Sequence, residues 1–358
     1  MKYNDIRRLS RKISAGGVEI GGTAAVSIQS MTNTDTHDIE ATYRQVKALE
    51  DAGCDIVRLT APDVEAARTF YELKVRGISV PLVADIHFDY KIAIEAAKAG
   101  ADKIRINPGN IGSEDRIEQV VRACADKHIP IRIGVNSGSL EKHILEKYGA
   151  PTPEALVSSA LYHASLLEKF DFRDIAISVK ASDTVNMIKA NRLLAAKTCY
   201  PLHLGVTEAG AGLSSTVKSS VGIGALLSEG IGDTIRVSMT DDPVKEVEVA
   251  KEILRSLDMV ENRGMDVVAC PTCGRTKIAL IPLVAEFERR VKALGLDKKN
   301  VKVALMGCAV NGPGEAREAD IGIAGGVGEG LLFKKGVTVR KIKEERLIDE
   351  LIEEIRKL

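Results

Sequence analysis

The sequence has no excess of charge of either sign and no long apolar run. Lysine plus arginine and aspartate plus glutamate each number 50 in 358 residues, and no polybasic run occurs. Neither nucleic-acid binding nor an anionic membrane surface is therefore indicated. No stretch approaches 18 apolar residues, and residues 1–8 lack the apolar segment of a signal peptide. We expect a soluble, cytoplasmic protein.

Cysteine is scarce as well. The chain has 6, and three of them stand singly in separate predicted elements: Cys54, Cys124 and Cys199. Isolated thiols of this kind indicate no disulfide framework, which agrees with a reducing compartment.

The other three cysteines lie in two short loops. Cys270 and Cys273 occupy Ala-Cys-Pro-Thr-Cys-Gly-Arg, and Cys308 opens a Gly/Pro-rich loop that ends at Glu315. Three thiolates and one weak oxygen ligand would leave a labile position on a metal centre. An iron–sulfur cluster and zinc both fit these residue types. A closed zinc site normally needs a fourth Cys or a His, and none of the 6 His lies nearby. The pattern therefore favours the cluster over zinc or free thiols.

Residues 26 to 240 alternate between β-rich runs and amphipathic stretches. The eight β-rich runs are 26–31, 55–60, 81–87, 103–108, 130–136, 174–180, 201–207 and 234–239. Gly53, Gly77 and Gly100 each end a helical stretch just before a strand. Eight βα units predict a (β/α)₈ TIM barrel, with an open doubly wound sheet as the alternative. Residues 11–22 predict a hairpin at the barrel floor.

Polar side chains recur at alternate positions near the ends of these strands. Alternate residues of a strand share one face, so they should line the barrel mouth. The candidate binding residues are Arg58, Arg105, Asn107, Arg132, Asn136, Ser178, Lys180, His203, Arg236 and Ser238. Asp85 and Glu208 are expected to offset two of the five positive charges at most. The remaining charge predicts a multiply charged anion such as a phosphoryl group.

Two further side chains at strand ends are candidates for acid–base chemistry. Glu208 lies in a short glycine-flanked loop, Gly-Val-Thr-Glu-Ala-Gly, where a carboxylate can act as a proton donor. His87 ends the third strand. Catalytic groups of barrel enzymes occupy such positions.

The pattern changes beyond about residue 260. Strand and helix signals there predict a small α+β domain with a mainly antiparallel sheet that carries both cysteine loops. The predicted domains are residues 1–260 and 261–358.

Three segments resemble one known family. Cys-Pro-Thr-Cys-Gly-Arg, Gly-Cys-Ala-Val-Asn-Gly-Pro-Gly-Glu-Ala and the early Ser-Ile-Gln-Ser-Met-Thr-Asn-Thr-Asp-Thr closely resemble 4-hydroxy-3-methylbut-2-enyl diphosphate synthases. These are iron–sulfur reductases of the non-mevalonate isoprenoid pathway. The resemblance runs end to end, and the chain length matches the two-domain bacterial form.

The resemblance implies a 4Fe-4S cluster held by Cys270, Cys273, Cys308 and, at rest, Glu315. It also implies reductive ring opening of 2-C-methyl-D-erythritol 2,4-cyclodiphosphate, with Glu208 as the proton donor. Ferredoxin or flavodoxin would supply electrons, and a head-to-tail homodimer is expected. Two alternatives remain: a redox-inert sugar-phosphate lyase or isomerase with structural zinc, and a non-enzymatic electron-transfer or metal-sensing module.

Overall fold

The chain divides into two units, Met1–Met259 and Val260–Leu358, and each contains one large sheet. The coordinates are a computed structural model, and the structure describes residues 3–260, 264–308 and 316–358. Within these ranges, no helix is both long and apolar enough to cross a membrane.

The first unit begins with a short helix and a hairpin. Helix α1 is Tyr3–Ile6, and strands β1 (Ile13–Ala15) and β2 (Val18–Ile20) pair antiparallel. The apolar side chains of the hairpin form one buried cluster with residues from the beginnings of three barrel strands: Ile56, Val83 and Ala176. The predicted hairpin at the barrel floor is confirmed.

Eight parallel strands then form the barrel. They are β3 (Ser27–Met31), β4 (Ile56–Thr60), β5 (Leu82–Asp85), β6 (Lys103–Ile106), β7 (Ile131–Asn136), β8 (Ile175–Lys180), β9 (His203–Leu204) and β10 (Thr234–Ile235). They follow one another around the sheet, and β10 pairs with β3. The Ile177 N–H donates to the Pro201 carbonyl oxygen at 2.9 Å, and a parallel bridge between Ile177 and Leu202 joins β8 to β9. The predicted barrel is confirmed, although β9 and β10 are shorter than predicted.

Helices surround these strands. They are α2 (Ile39–Asp51), α3 (Val64–Ala67), α4 (Thr69–Val75), α5 (Tyr90–Lys98), α6 (Pro108–Ile111), α7 (Glu114–Asp126), α8 (Lys142–Tyr148), α9 (Pro153–Glu168), α10 (Thr184–Lys197), α11 (Gly212–Leu227) and α12 (Pro243–Ser256). The Asp38 carboxylate caps α2 by accepting a hydrogen bond from the Ala41 N–H at 2.9 Å. The predicted terminators Gly53, Gly77 and Gly100 have φ of 77°, 88° and 95°, which L-residues rarely adopt.

The second unit is an α+β domain, as predicted. Its elements are β11 (Met265–Ala269), α13 (Leu280–Ala293), β12 (Val301–Met306), β13 (Ile321–Gly325), β14 (Glu329–Lys334), β15 (Val337–Lys343) and α14 (Leu347–Lys357). Both helices contribute to one core against the sheet, including Phe287 of α13 and Leu351 of α14. The expected antiparallel pairing is confirmed for β13–β14 and β14–β15. The first two pairs, β11–β12 and β12–β13, are parallel.

Candidate active site

Five cations from five strands or their ends line one barrel. Arg58 (β4), Arg105 (β6), Arg132 (β7) and Lys180 (β8) are at most 9 % exposed, and Arg236 directly follows β10. Buried charges are costly unless they are paired, so each needs a partner or a ligand.

Asp85 at the end of β5 forms ion pairs with two of these arginines. Its Oδ1 accepts a hydrogen bond from Arg105 Nη1 at 3.0 Å, and its Oδ2 lies 3.7 Å from Arg58 Nε. Burial alone would raise the pKa of Asp85, but Arg58, Arg105 and Arg132 outweigh it and bring the pKa to about 2. Asp85 is therefore an ionised bridge between neighbouring guanidinium groups.

Glu246 in the first turn of α12 forms an ion pair with the fifth cation, Arg236. It accepts hydrogen bonds from Arg236 Nε and Nη2 at 3.2 and 3.0 Å, from the Met239 N–H at 3.1 Å and from Ser30 Oγ at 2.8 Å. We expected Glu208 to offset one of the five positive charges, and this expectation is wrong. Glu246 does so instead, whereas Glu208 is exposed and forms no ion pair within the described residues. The signal that could have identified Glu246 is an acid in the first turn of the helix that follows the eighth strand.

Several guanidinium N–H donors of these cations have no hydrogen-bond partner among the described residues. Within the part of the chain that the structure describes, Arg132 Nε, Arg132 Nη1 and Arg105 Nε are buried and have no hydrogen-bond partner. Guanidinium donors match the oxygens of phosphoryl groups in spacing and charge. The barrel is thus arranged to receive an anion with several oxygens.

Two glycines provide the room for these cations. A Cβ atom at Gly134 would lie 2.4 Å from Arg105 Nε, and one at Gly205 would lie 3.0 Å from Lys180 Nζ. Any side chain at Gly134 would therefore displace the Arg105 guanidinium.

The other candidate binding residues have more varied surroundings. Asn107 is buried, and its Oδ1 accepts a hydrogen bond from the Gly109 N–H at 3.1 Å. Ser178 Oγ donates to the Ile133 carbonyl oxygen at 3.2 Å inside the barrel. Asn136 and Ser238 are half-buried.

His203 lies deeper than its neighbours because it is the first residue of β9 and is fully buried. Burial and the nearby Arg132 and Lys180 hold the pKa of His203 well below its ordinary value, so its imidazole is neutral.

Glu208 and His87 both lie beyond strand ends and are exposed. Glu208 has φ of 52°, which is unusual for a residue with a side chain and costs conformational energy. Its loop is held by two backbone bonds, from the Thr207 N–H to Ala181 O at 3.2 Å and from the Thr240 N–H to Gly210 O at 3.0 Å. Strain of this kind is common at functional sites.

The segment that carries Cys270 and the segment that leads to Cys308 meet in the second unit at Gly307. Parallel pairing of β11 with β12 sets Ala269 opposite Leu305, so Cys270 and Cys308 follow neighbouring strand ends. Cys270 Sγ accepts a hydrogen bond from the Gly307 N–H at 3.2 Å, and the Lys277 N–H donates to Gly307 O at 2.9 Å. A Cβ atom at Gly307 would lie 2.8 Å from the Thr276 side chain, so this close approach needs glycine.

The thiols have the chemistry that a cluster requires. Cys270 and Cys308 are half-buried and Cys273 is exposed; none forms a disulfide. Hydrogen bonds from the Arg275 backbone and side chain lower the pKa of Cys273, which favours the thiolate form that metals bind. Across residues 3–260, 264–308 and 316–358, no three His, Cys, Asp or Glu side chains are arranged to hold one metal ion. In a four-iron cluster each thiolate binds a different iron, so the thiols need not converge on one point. The fourth predicted ligand, Glu315, lies outside the described residues.

Comparisons with known proteins cover both units. Residues 10–251 match the GcpE TIM-barrel domain, and residues 266–357 match the GcpE protein C-terminal domain. A protein from Clostridium perfringens named 4-hydroxy-3-methylbut-2-en-1-yl diphosphate synthase (flavodoxin) is 58% identical, over 97% of this chain and 98% of that protein. One of the same name from Ruminiclostridium cellulolyticum is 57% identical, over 98% of each chain.

Solved structures share the barrel at low identity. Type I 3-dehydroquinate dehydratase from Clostridium difficile has a TM-score of 0.52 at 14% identity, over 70% of this chain and 100% of that chain. A spore coat polysaccharide biosynthesis protein from Bacillus subtilis has a TM-score of 0.51 at 11% identity, over 69% and 73%. These likenesses concern the fold alone.

Proposed function

The chain belongs to the GcpE family of 4-hydroxy-3-methylbut-2-en-1-yl diphosphate synthases, and we propose that its barrel binds the substrate diphosphate while its second unit carries the redox centre. It is an oxidoreductase that converts 2-C-methyl-D-erythritol 2,4-cyclodiphosphate to 4-hydroxy-3-methylbut-2-enyl diphosphate. The observation that carries the binding assignment is the set of five cations in one barrel, with buried guanidinium donors left free.

The reaction breaks two carbon–oxygen bonds. Two electrons and one proton convert the cyclic dianion to the linear diphosphate trianion and one water, which balances both atoms and charge. Cleavage of the bond between C2 and its phosphate oxygen opens the ring. Cleavage of the bond between C3 and its hydroxyl oxygen releases that hydroxyl as water. The chain must therefore hold the diphosphate, admit electrons and deliver a proton.

The barrel residues divide this work. Arg58, Arg105, Arg132, Lys180 and Arg236 bind and orient the diphosphate, because charge-assisted hydrogen bonds fix both position and direction. The remaining predicted binding residues complete the pocket: Asn107, Asn136, Ser178, His203 and Ser238. Glu208 delivers the proton to the leaving hydroxyl, with His87 as the next candidate. The strained, exposed position of Glu208 at a strand end supports this role.

The second unit supplies the redox chemistry. Its residues fit a 4Fe-4S cluster held by Cys270, Cys273, Cys308 and Glu315, which would supply single electrons and a Lewis-acidic iron. The hydrogen bond from the Gly307 N–H to Cys270 Sγ, one residue before Cys308, and the lowered pKa of Cys273 support this ligand set. Structural zinc is less favoured, because a closed tetrahedral site normally needs a fourth Cys or a His, and none of the 6 His lies near these cysteines in the sequence.

The names of the two relatives above include flavodoxin. We therefore propose flavodoxin as the electron donor of this chain, with ferredoxin as the alternative. A cytoplasmic location and a head-to-tail homodimer complete the proposal.

Turnover under anaerobic conditions tests the function. Protein purified without oxygen should contain iron and acid-labile sulfide, and should convert the cyclodiphosphate to the linear diphosphate when a low-potential reductant is supplied. Product is measured by ³¹P NMR, with a sample lacking reductant as the control. Bound zinc without iron, together with no reduction, would favour the redox-inert lyase or isomerase.

Substitution at Gly134 tests the diphosphate pocket separately from redox chemistry. We expect Gly134→Ala to displace the Arg105 guanidinium and weaken substrate binding. The loss of binding free energy should approach that of Arg105→Met, which we expect to be about 1.5–3 kcal/mol. Calorimetric titration without reductant measures the loss, and iron content should not change. Gly138→Ala is the matched control, because a Cβ there meets nothing within 4 Å. Unchanged affinity in both Gly134→Ala and Arg105→Met would make Arg105 a structural residue.

A further inference from the structure

A buried histidine contacts two of the segments that follow barrel strands. His163 lies in α9 and is fully buried, and its Nε2 contacts Oε1 of Glu141, between β7 and α8. Burial alone would raise the pKa of Glu141, but contacts led by the His163 hydrogen bond outweigh it and bring the pKa to about 2. The Glu141 carboxylate is therefore ionised and can only accept, so the Nε2–H of His163 donates to it.

The same ring packs on the segment that follows β6. A Cβ atom at Gly109 in α6 would lie 2.7 Å from His163 Cε1 and 3.5 Å from Glu141 Oε1. The Gly109 N–H donates to Asn107 Oδ1 at 3.1 Å. The His163 ring therefore lies against the turn that fixes the side chain of Asn107.

Asn107 is the predicted substrate contact on this turn. It directly follows β6 with an extended backbone, so its side chain shares the inward face of Arg105 two residues earlier. The Gly109 N–H engages Oδ1, and among the described residues Nδ2 has no hydrogen-bond partner. Nδ2 is thus the donor that Asn107 offers to an anion beside Arg105.

Stability alone does not account for the Glu141–His163 pair. Removing a carboxylate and an imidazole from water costs free energy that their attraction only offsets, so apolar side chains would stabilise the fold as well. His163 Nδ1 is also buried without a partner in the part of the chain that the structure describes. What the pair provides is a fixed position, because it ties the segment after β7 to the helix that packs on Gly109.

We propose that Glu141 and His163 are positioning residues, which hold the α6 turn so that Asn107 Nδ2 donates to the diphosphate. The pair acts on the substrate only through Asn107. The inference rests on the proposed function, since it requires that the barrel binds the diphosphate and that Asn107 contacts it.

Calorimetric titration with the cyclodiphosphate, on the anaerobic holoenzyme without reductant, tests this role. His163→Leu removes the donor to Glu141 and should weaken binding about three- to tenfold, at most as much as Asn107→Ala. In the double variant the affinity should equal that of Asn107→Ala alone, because there is then no amide to position. A general disturbance of the barrel would instead make the two losses multiply.

Further variants separate position from folding. Glu141→Ala removes the acceptor at a half-buried site, should weaken binding as His163→Leu does, and gives the same double-variant test if His163→Leu does not fold. His163→Gln keeps a side-chain N–H for Glu141 and should bind close to the parent. His143→Gln is the matched control, because it changes an exposed histidine of α8 and should leave affinity unchanged.

Parent-like affinity in both His163→Leu and Glu141→Ala would overturn the inference, and so would losses that multiply with that of Asn107→Ala. If Asn107→Ala bound like the parent, the inference would fail while the diphosphate site remained. If the parent itself did not bind the cyclodiphosphate, the proposed function would fail as well.

Discussion

Glu208→Gln should lower turnover about 10²-fold or more while leaving substrate affinity and iron content unchanged. Glutamine keeps the size and hydrogen-bonding capacity of the side chain but has no carboxylic proton to give. Glu208 forms no ion pair with described residues and lies outside the cysteine loops, so neither the cation cluster nor the redox centre should be disturbed. Anaerobic turnover with saturating reductant is the measurement.

A carboxylate elsewhere on the rim provides the control. Asp241→Asn removes an exposed acid from the loop after β10, where it pairs with Lys245 and accepts a hydrogen bond from the Asp242 N–H. Turnover should stay near the parent level. Near-normal turnover in Glu208→Gln would exclude Glu208 as the proton donor. His87→Gln would then be the next variant to measure, because His87 is the other exposed candidate at a strand end.

Replacing Cys270, Cys273 or Cys308 with Ser should reduce turnover to background and remove the brown colour of the protein or leave a degraded cluster. A serine hydroxyl is a poor substitute for the thiolate that an iron site prefers. The barrel should stay folded, because the two units have separate cores. Iron and sulfide content, the visible spectrum and far-UV circular dichroism measure these outcomes together.

Cys199→Ser is the control for the cysteine variants. Its thiol is exposed and lies between α10 and β9, in the other unit, so colour and turnover should match the parent. A full 4Fe-4S signal in any one of the Cys270, Cys273 or Cys308 variants would remove that residue from the ligand set.

Local pattern was sufficient for much of the fold. The eight barrel strands, the floor hairpin and the helix-ending glycines were all predictable, because each depends on periodicity or on a backbone angle that few residues tolerate. The cation cluster was predictable for a related reason. Alternation along a strand assigns a face, and a barrel directs one face of every strand inward.

Pairing between distant segments was not predictable in the same way. Glu246 reaches Arg236 from a helix, and Asp85 bridges arginines from two neighbouring strands. Such partners depend on side-chain reach and on the register between strands, neither of which one segment encodes. The parallel pairing of β11 with β12, which brings Cys270 beside Gly307, likewise depends on how the second unit packs.

The sequence by itself therefore determined the barrel, the residue types at its mouth and the cysteine spacing, because these follow from short-range pattern. The tertiary structure alone decided which charges are balanced. It paired Asp85 with Arg58 and Arg105 and Glu246 with Arg236. Among the described residues it left two buried donors of Arg132 without a hydrogen-bond partner, and it made Gly134 the space for a guanidinium group. The physical reason is that the energy of a buried charge depends on every group around it, and those groups come from all parts of the chain.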